Sequence, residues 1–206
     1  MKRTILFLLI VVFFLPGCGN RYEIDNIDSR GRNIIFFGDS ITAGMGAGRD
    51  EDFPGLIAKM TDAPVINAGV SGDTTRDALK RMDRDVLAHD PLIVVVEFGA
   101  NDYFVKIPIE ETMDNLDRMV AAVQEEGAMV VLMEIKMGLF DQYLAGFKKL
   151  TRKRNTYLMP NILKGIFGKR ELMADQIHPN KKGYQIIAGR AMDVLEPLLS
   201  ANQRKR

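Results

Sequence analysis

The sequence predicts an α/β fold in three αβα layers, one open parallel sheet with helices on both faces. Two observations predict it. The Val- and Ile-rich apolar runs are unbroken rather than alternating, as strands buried on both faces require, and they take turns along the chain with segments whose apolar residues recur at helical spacing. The length of 206 residues, 47% apolar and 27% charged, suits one globular domain and excludes a disordered or polytopic membrane chain.

In chain order, the first element is a leader. Lys2 and Arg3 precede an uncharged run from Ile5 to Leu15, the pattern of a secretory signal. That run is too short for a bilayer-crossing helix, which needs about 20 residues. It ends at Leu15-Pro16-Gly17-Cys18, which resembles the lipobox of bacterial lipoproteins, with Pro16 an unusual occupant. The chain's single cysteine stands where such processing needs one, so Cys18 is the expected lipidation site, with a plain signal peptide as the simpler alternative. The expected organisation is a signal peptide over 1–17, a polar tether over 18–31, one folded domain over 32–200 and a basic tail over 201–206. The protein would then be exported and held at a periplasmic or cell-surface membrane through a lipid on Cys18. Lys and Arg number 28 against 27 Asp and Glu, so nothing marks a nucleic-acid binder.

The domain opens with the apolar run Asn33–Phe37, followed by shorter runs at Val65–Asn67 and Met129–Met133 and a long one at Leu92–Phe98 interrupted only by Glu97. Between them, 75–88 spaces Leu79, Met82 and Val86 at helical intervals, with Thr74 as a cap and Asp77 in the first turn. Residues 109–124 place Ile109, Met113, Leu116, Val120 and Val123 on one stripe after Pro108. Segments 140–154 and 181–198 follow the same spacing, the last through Tyr184, Ile187, Ala191, Leu195 and Leu198.

In a sheet of this kind reactive groups collect in the loops beyond the carboxyl ends of the strands. After the first strand stands Gly38-Asp39-Ser40-Ile41-Thr42, after the second Asn67-Ala68-Gly69-Val70-Ser71-Gly72-Asp73-Thr74, and after the third Gly99-Ala100-Asn101-Asp102. Taken singly, each reads equally as a turn and helix cap. Near the end stands Asp175-Gln176-Ile177-His178, close enough in sequence for the carboxylate to orient the imidazole. With Ser40 the set supplies a nucleophile, a base and an orienting acid. His89, beside Asp90-Pro91, reads as a surface residue at a helix end.

These four blocks, in order from about Asn33 to Leu198, resemble those of the SGNH/GDSL hydrolases, and especially the bacterial branch with thioesterase, arylesterase and lysophospholipase activity. The resemblance implies a flavodoxin-like SGNH fold with a mostly five-stranded parallel sheet. It also implies Ser40 as nucleophile, His178 as base, Asp175 as its partner, and an oxyanion hole from the Ser40 and Gly72 amides and the Asn101 side chain. Two positions depart from the family pattern: Ile41 stands for leucine, and Ala100 for a common glycine. An α/β-hydrolase elbow fits less well, because Thr42 occupies the place of its second glycine. Gly44-Met45-Gly46-Ala47-Gly48 lacks the third glycine of a dinucleotide loop and reads as a rim loop.

The expected activity is hydrolysis of carboxylic esters or thioesters, with no metal or organic cofactor and a small acyl compound as the partner. The oligomeric state is not encoded visibly, and a monomer is the simplest expectation. A carbohydrate O-acetyl esterase shares the same residues, and a non-catalytic surface lipoprotein is a third reading that leaves Asp175 beside His178 without a purpose. Met133, Met137, Met159 and Met173, with Phe104, Leu139 and Phe140, are weaker candidates for an acyl groove against ordinary core filling. The basic group Lys148, Lys149, Arg152, Lys153 and Arg154 reads as a solvated helix face in preference to a lipid-headgroup surface.

Overall fold

The computed structural model describes residues 24–136 and 141–205. The leader, Cys18, Met137, Leu139 and Phe140 lie outside them. Five parallel strands, β1 (Asn33–Gly38), β2 (Val65–Gly69), β3 (Pro91–Glu97), β4 (Met129–Met133) and β5 (Tyr157–Met159), form one sheet in the order β2-β1-β3-β4-β5. Strand order reverses between β1 and β3, which opens a crevice at their carboxyl ends.

The unbroken apolar runs follow from this burial. Along β1, Ile34 and Phe36 face one layer and Ile35 and Phe37 the other, all at 0% exposure, because successive side chains of a strand point to opposite faces. The first layer is closed by α2 (Phe53–Ile57) and α7 (Lys181–Lys205), through Phe53, Ile57, Tyr184 and Ile187. The second is closed by α3 (Thr75–Asp85), α5 (Ile109–Glu125) and α6 (Asp141–Arg154), through Met82, Leu116, Val120 and Phe147. Each such side chain stabilises the fold by roughly 1.5 to 3 kcal/mol. Thr74 caps α3 in a full capping box with Asp77, as its spacing suggested. His89 is exposed at the end of a 3-10 turn.

Two boundaries differ from expectation. Residues 24–31 belong to the domain rather than to a tether: Ile24 and Ile27 pack on the core, and Asn26 Nδ2 donates to the Gln124 and Ala128 carbonyls at 2.9 and 3.0 Å. At the other end, α7 continues to Lys205 through the segment expected to be a tail. The two are joined, since Asn202 Nδ2 donates to the carbonyls of Ile27 and Ser29, both at 2.9 Å. Short elements also appear where no periodicity could reveal them: α1 (Ser40–Ala43), α2, α4 (Ala100–Phe104) and β5.

Candidate active site

β1 ends at Gly38, where any side chain would collide: a Cβ there would lie 2.1 Å from Thr42 Oγ1 and 2.7 Å from Glu97 Oε2. The absence of one lets the chain fold back into α1 directly on the strand end. Asp39 caps α1, its Oδ1 accepting from the Ile41 N–H at 3.0 Å, and this turn carries Ser40 to the mouth of the crevice.

His178 arrives from the far end of the chain. A single antiparallel bridge between Met173 and Pro179 closes a tight loop, in which the Ala174 N–H donates to the His178 carbonyl at 2.9 Å. Asn180 then caps α7, with Oδ1 accepting from the N–H groups of Lys182 and Gly183. Gly46, at φ 89°, abuts this loop, since a Cβ there would meet the Pro179 carbonyl at 2.6 Å. The stretch read as a rim loop is thus a support for the histidine. Its Met45 carbonyl also accepts from the buried Tyr184 hydroxyl at 2.8 Å.

His178 Nε2 lies 3.0 Å from Ser40 Oγ, and Nδ1 lies 2.7 Å from Asp175 Oδ2. Asp175 Oδ1 accepts from the backbone N–H groups of Ile177 and His178, both at 2.8 Å. The imidazole contact and these two amides hold the Asp175 carboxyl down at about 2, so it is ionised across the working range. An ionised partner on Nδ1 fixes the tautomer whose Nε2 can take a proton from Ser40.

The remaining predicted residues surround the same crevice. Ser40, Asn101 and His178 line one shallow, solvent-open cleft, together with Ile41, Ala100, Phe104, Ile135, Leu163 and Ile177. Asn101 Nδ2 donates to Asp39 Oδ2 at 3.1 Å and to the Asp73 carbonyl at 3.0 Å. Holding an oxyanion as well therefore calls for one of these hydrogens to be shared in a three-centre bond. Gly72 sits exposed at φ 86° on a turn pinned to the strand end, where the Val70 N–H donates to the Gly38 carbonyl at 3.0 Å. Among the described residues the Ser40 and Gly72 N–H groups have no protein acceptor, which leaves both available as donors.

Three supporting residues escaped the sequence reading. Arg81, 8% exposed, binds Asp73 Oδ2 at 2.5 Å, Asp85 Oδ2 at 3.2 Å, and the carbonyls of Ala68 at 2.8 Å and Gly38 at 3.1 Å. Its guanidinium also stacks over Phe37 at 4.6 Å. One cation thus ties together the ends of β1 and β2 and the turn bearing Gly72. Asp102, fully buried, accepts from the Thr75 N–H at 2.9 Å, from the Thr75 hydroxyl and from Thr112 Oγ1 at 3.1 Å, locking α4 to α3. Glu97, also fully buried, ends β3 beside Asp39 and Thr42. The signal for it was present as the one charge in an otherwise apolar strand. Arg81 shares the buried arc of α3 with Ala78 and Met82, a cation where the periodicity calls for an apolar residue.

Among the described residues no methionine lines the cleft, and Met137, Leu139 and Phe140 lie outside them. Met133 is 0% and Met159 5% exposed within the core, and Met173 packs against the same cluster. Of the aromatic candidates, Phe104 does line the cleft. In the basic group, Arg154 and Lys153 bind Asp117 of α5 at 2.6 and 2.8 Å, while Lys148, Lys149 and Arg152 are exposed. Among the described residues no cluster of three or more His, Cys, Asp or Glu is placed to hold a metal ion, and no helix is long and apolar enough to cross a membrane.

Residues 36–186 match the model of the GDSL-like lipase/acylhydrolase family. An arylesterase of Vibrio mimicus is 29% identical, with 88% of this chain and 92% of that protein covered. The thioesterase 1/protease 1/lysophospholipase L1 of Escherichia coli K12 is 27% identical over 81% of this chain and 85% of its own. Among solved structures, the psychrotrophic esterase EstA from Pseudoalteromonas sp., inhibited by monoethylphosphonate, superposes with a TM-score of 0.74 at 31% identity, covering 82% of this chain and 99% of that one. The chain belongs to the GDSL-like lipase/acylhydrolase family and is a carboxylic ester hydrolase.

Proposed function

We propose that the protein cleaves acyl esters or thioesters of small to medium chain length through an acyl-enzyme on Ser40. The observation that carries this reading is the unbroken path from Asp175 through His178 to Ser40 Oγ, with contacts of 2.7 and 3.0 Å. His178 takes the hydroxyl proton as Ser40 attacks the carbonyl carbon. Charge then collects on the carbonyl oxygen, facing the Ser40 and Gly72 amides and the Asn101 side chain, and each such donor lowers the barrier by about 2.7 to 4 kcal/mol. The imidazolium next protonates the leaving alcohol or thiol. Water, deprotonated by the same ring, releases the acid and restores Ser40.

The apolar lining of the cleft, with Ile41, Phe104, Ile135, Leu163 and Ile177, favours an acyl group over a sugar. A hydrolysis panel of p-nitrophenyl esters of rising chain length, acyl-CoA, lysophospholipid and acetylated sugars tests this. Highest kcat/KM on a lipid-like acyl donor supports the reading. Preference for acetylated sugars over all of them contradicts it and favours the O-acetyl esterase alternative. The leader and Cys18 further support export and a lipid anchor that would hold the enzyme at a membrane surface. Substituting Cys18 by Ala and finding the protein still in the membrane fraction would remove the anchor from the proposal.

A further inference from the structure

We propose that Glu97 is a positioning residue for this reaction: it carries a proton, donates it in a hydrogen bond to the Asp39 carboxylate, and so fixes Asp39 as the acceptor that orients Asn101. This inference rests on the proposed role of the Ser40 centre. The geometry is that of an acid and carboxylate pair. Glu97 and Asp39 are 0% and 1% exposed. Glu97 Oε2 accepts from Thr42 Oγ1 at 2.8 Å and faces the Asp39 N–H at 3.4 Å, while Oε1 is buried with no donor among the described residues. The two acids are neighbours at the ends of β1 and β3, joined through the Asp39 N–H and Glu97 Oε2, and two ionised carboxylates would not be sustained side by side at this burial. Asp39 has its own acceptor duties, Oδ1 to the Ile41 N–H and Oδ2 to Asn101 Nδ2.

The surrounding groups do not offset two charges. Among the described residues no Lys or Arg makes an ion pair with either carboxyl, and Arg81 of α3 binds the Gly38 and Ala68 carbonyls while pairing with Asp73 and Asp85. Tyr184 of α7, whose phenol is raised above its ordinary range by burial and then by Glu97 and Asp39, is neutral. Asp102 adds a weaker repulsion on Asp39, and His178 a weaker attraction. Burial first, and then the charge of Asp39, push Glu97 well above the usual carboxylate range, whereas Asp39 is pushed up only to about 6. One negative charge therefore remains, on Asp39, in contact with the Asn101 amide.

Glu97→Gln keeps the shape of the protonated acid, with one oxygen for Thr42 and an N–H for Asp39. It is expected to retain kcat/KM within about threefold of wild type at neutral pH, whereas Glu97→Leu lowers kcat at similar KM by about tenfold or more, short of the roughly hundredfold loss of an oxyanion donor. Because an acid whose pKa is raised on folding destabilises the protein as pH climbs from its unfolded value toward its folded one, the Gln variant should gain in Tm over wild type across that range. An infrared band of a protonated buried carboxylic acid should be present in wild type and absent in Glu97→Gln. A Gln variant that folds normally yet loses as much activity as Leu overturns the proposal. So does a wild-type spectrum without the acid band, a Leu variant of undiminished kcat, or a Tm difference independent of pH. Fluorophosphonate labelling of Ser40 in the same variants separates these outcomes from failure of the serine centre itself.

Discussion

Substituting Arg81 by Met keeps an apolar stem over Phe37 and removes four hydrogen bonds at once. The Arg81 and Asp73 side chains are 9% and 14% exposed, so the change strands a nearly buried carboxylate. Losing one partner of such a pair costs about 3 to 5 kcal/mol. The Gly38 and Ala68 carbonyls also lose a donor, at about 1 kcal/mol each, and water entering beside Asp73 offsets part of the sum. The expected loss is therefore about 3 to 5 kcal/mol, a large share of the roughly 5 to 15 kcal/mol that stabilises a domain. Urea denaturation at neutral pH should show it as a lower midpoint at unchanged m. Arg81→Lys, which has one nitrogen for four acceptors, should lose about half as much. Adding Asp73→Asn to Arg81→Met should recover about 2 kcal/mol, because no charge is then left without a partner. A loss below about 1 kcal/mol for Arg81→Met, the size of an ordinary surface change, would refute the view that this cation clamps the ends of β1 and β2.

Other outcomes follow from the same contacts. Asp175→Asn keeps an acceptor for the Ile177 and His178 amides but turns an N–H toward Nδ1, forcing the wrong tautomer, and kcat should fall by about 10³- to 10⁴-fold. Asp175→Ala should lose less, since the acid is half exposed and water can replace it; an Ala variant worse than Asn would count against the tautomer argument. Asp117, held down at about 2 chiefly by Arg154 and then Lys153, contributes stability above its unfolded value of 3.8 that is lost as pH falls toward 2. Asp117→Asn should therefore cost about 1 to 2 kcal/mol at pH 7 and nothing near pH 2, as read from urea melts at several pH values. A cost that does not change with pH would show that packing, not charge, is lost.

Much of the fold was legible because its periods are strong. β1 and β3 read as unbroken apolar runs since both their faces are covered, and α3 and α5 read from stripes and caps that the structure retains. What was not legible depends on partners distant in sequence. β5 is three residues at a sheet edge with Tyr157 45% exposed, too short and too wet for a pattern. Asn26 reads as linker until Gln124, Ala128 and the helical end of α7 close around that segment. Ser40, Asn101, Asp175 and His178 were nameable from their blocks, since the chemistry demands those residue types. Arg81 and Glu97 were not, because their value lies in backbone carbonyls and a second carboxyl that only the fold brings near.

The proposed mechanism requires Ser40 to carry the activated hydroxyl. Mass spectrometry of the protein treated with a fluorophosphonate tests that most directly. One adduct on the peptide bearing Ser40, abolished by Ser40→Ala and retained in Ser71→Ala, is the predicted result. An adduct elsewhere, or none on folded wild-type protein, would contradict it.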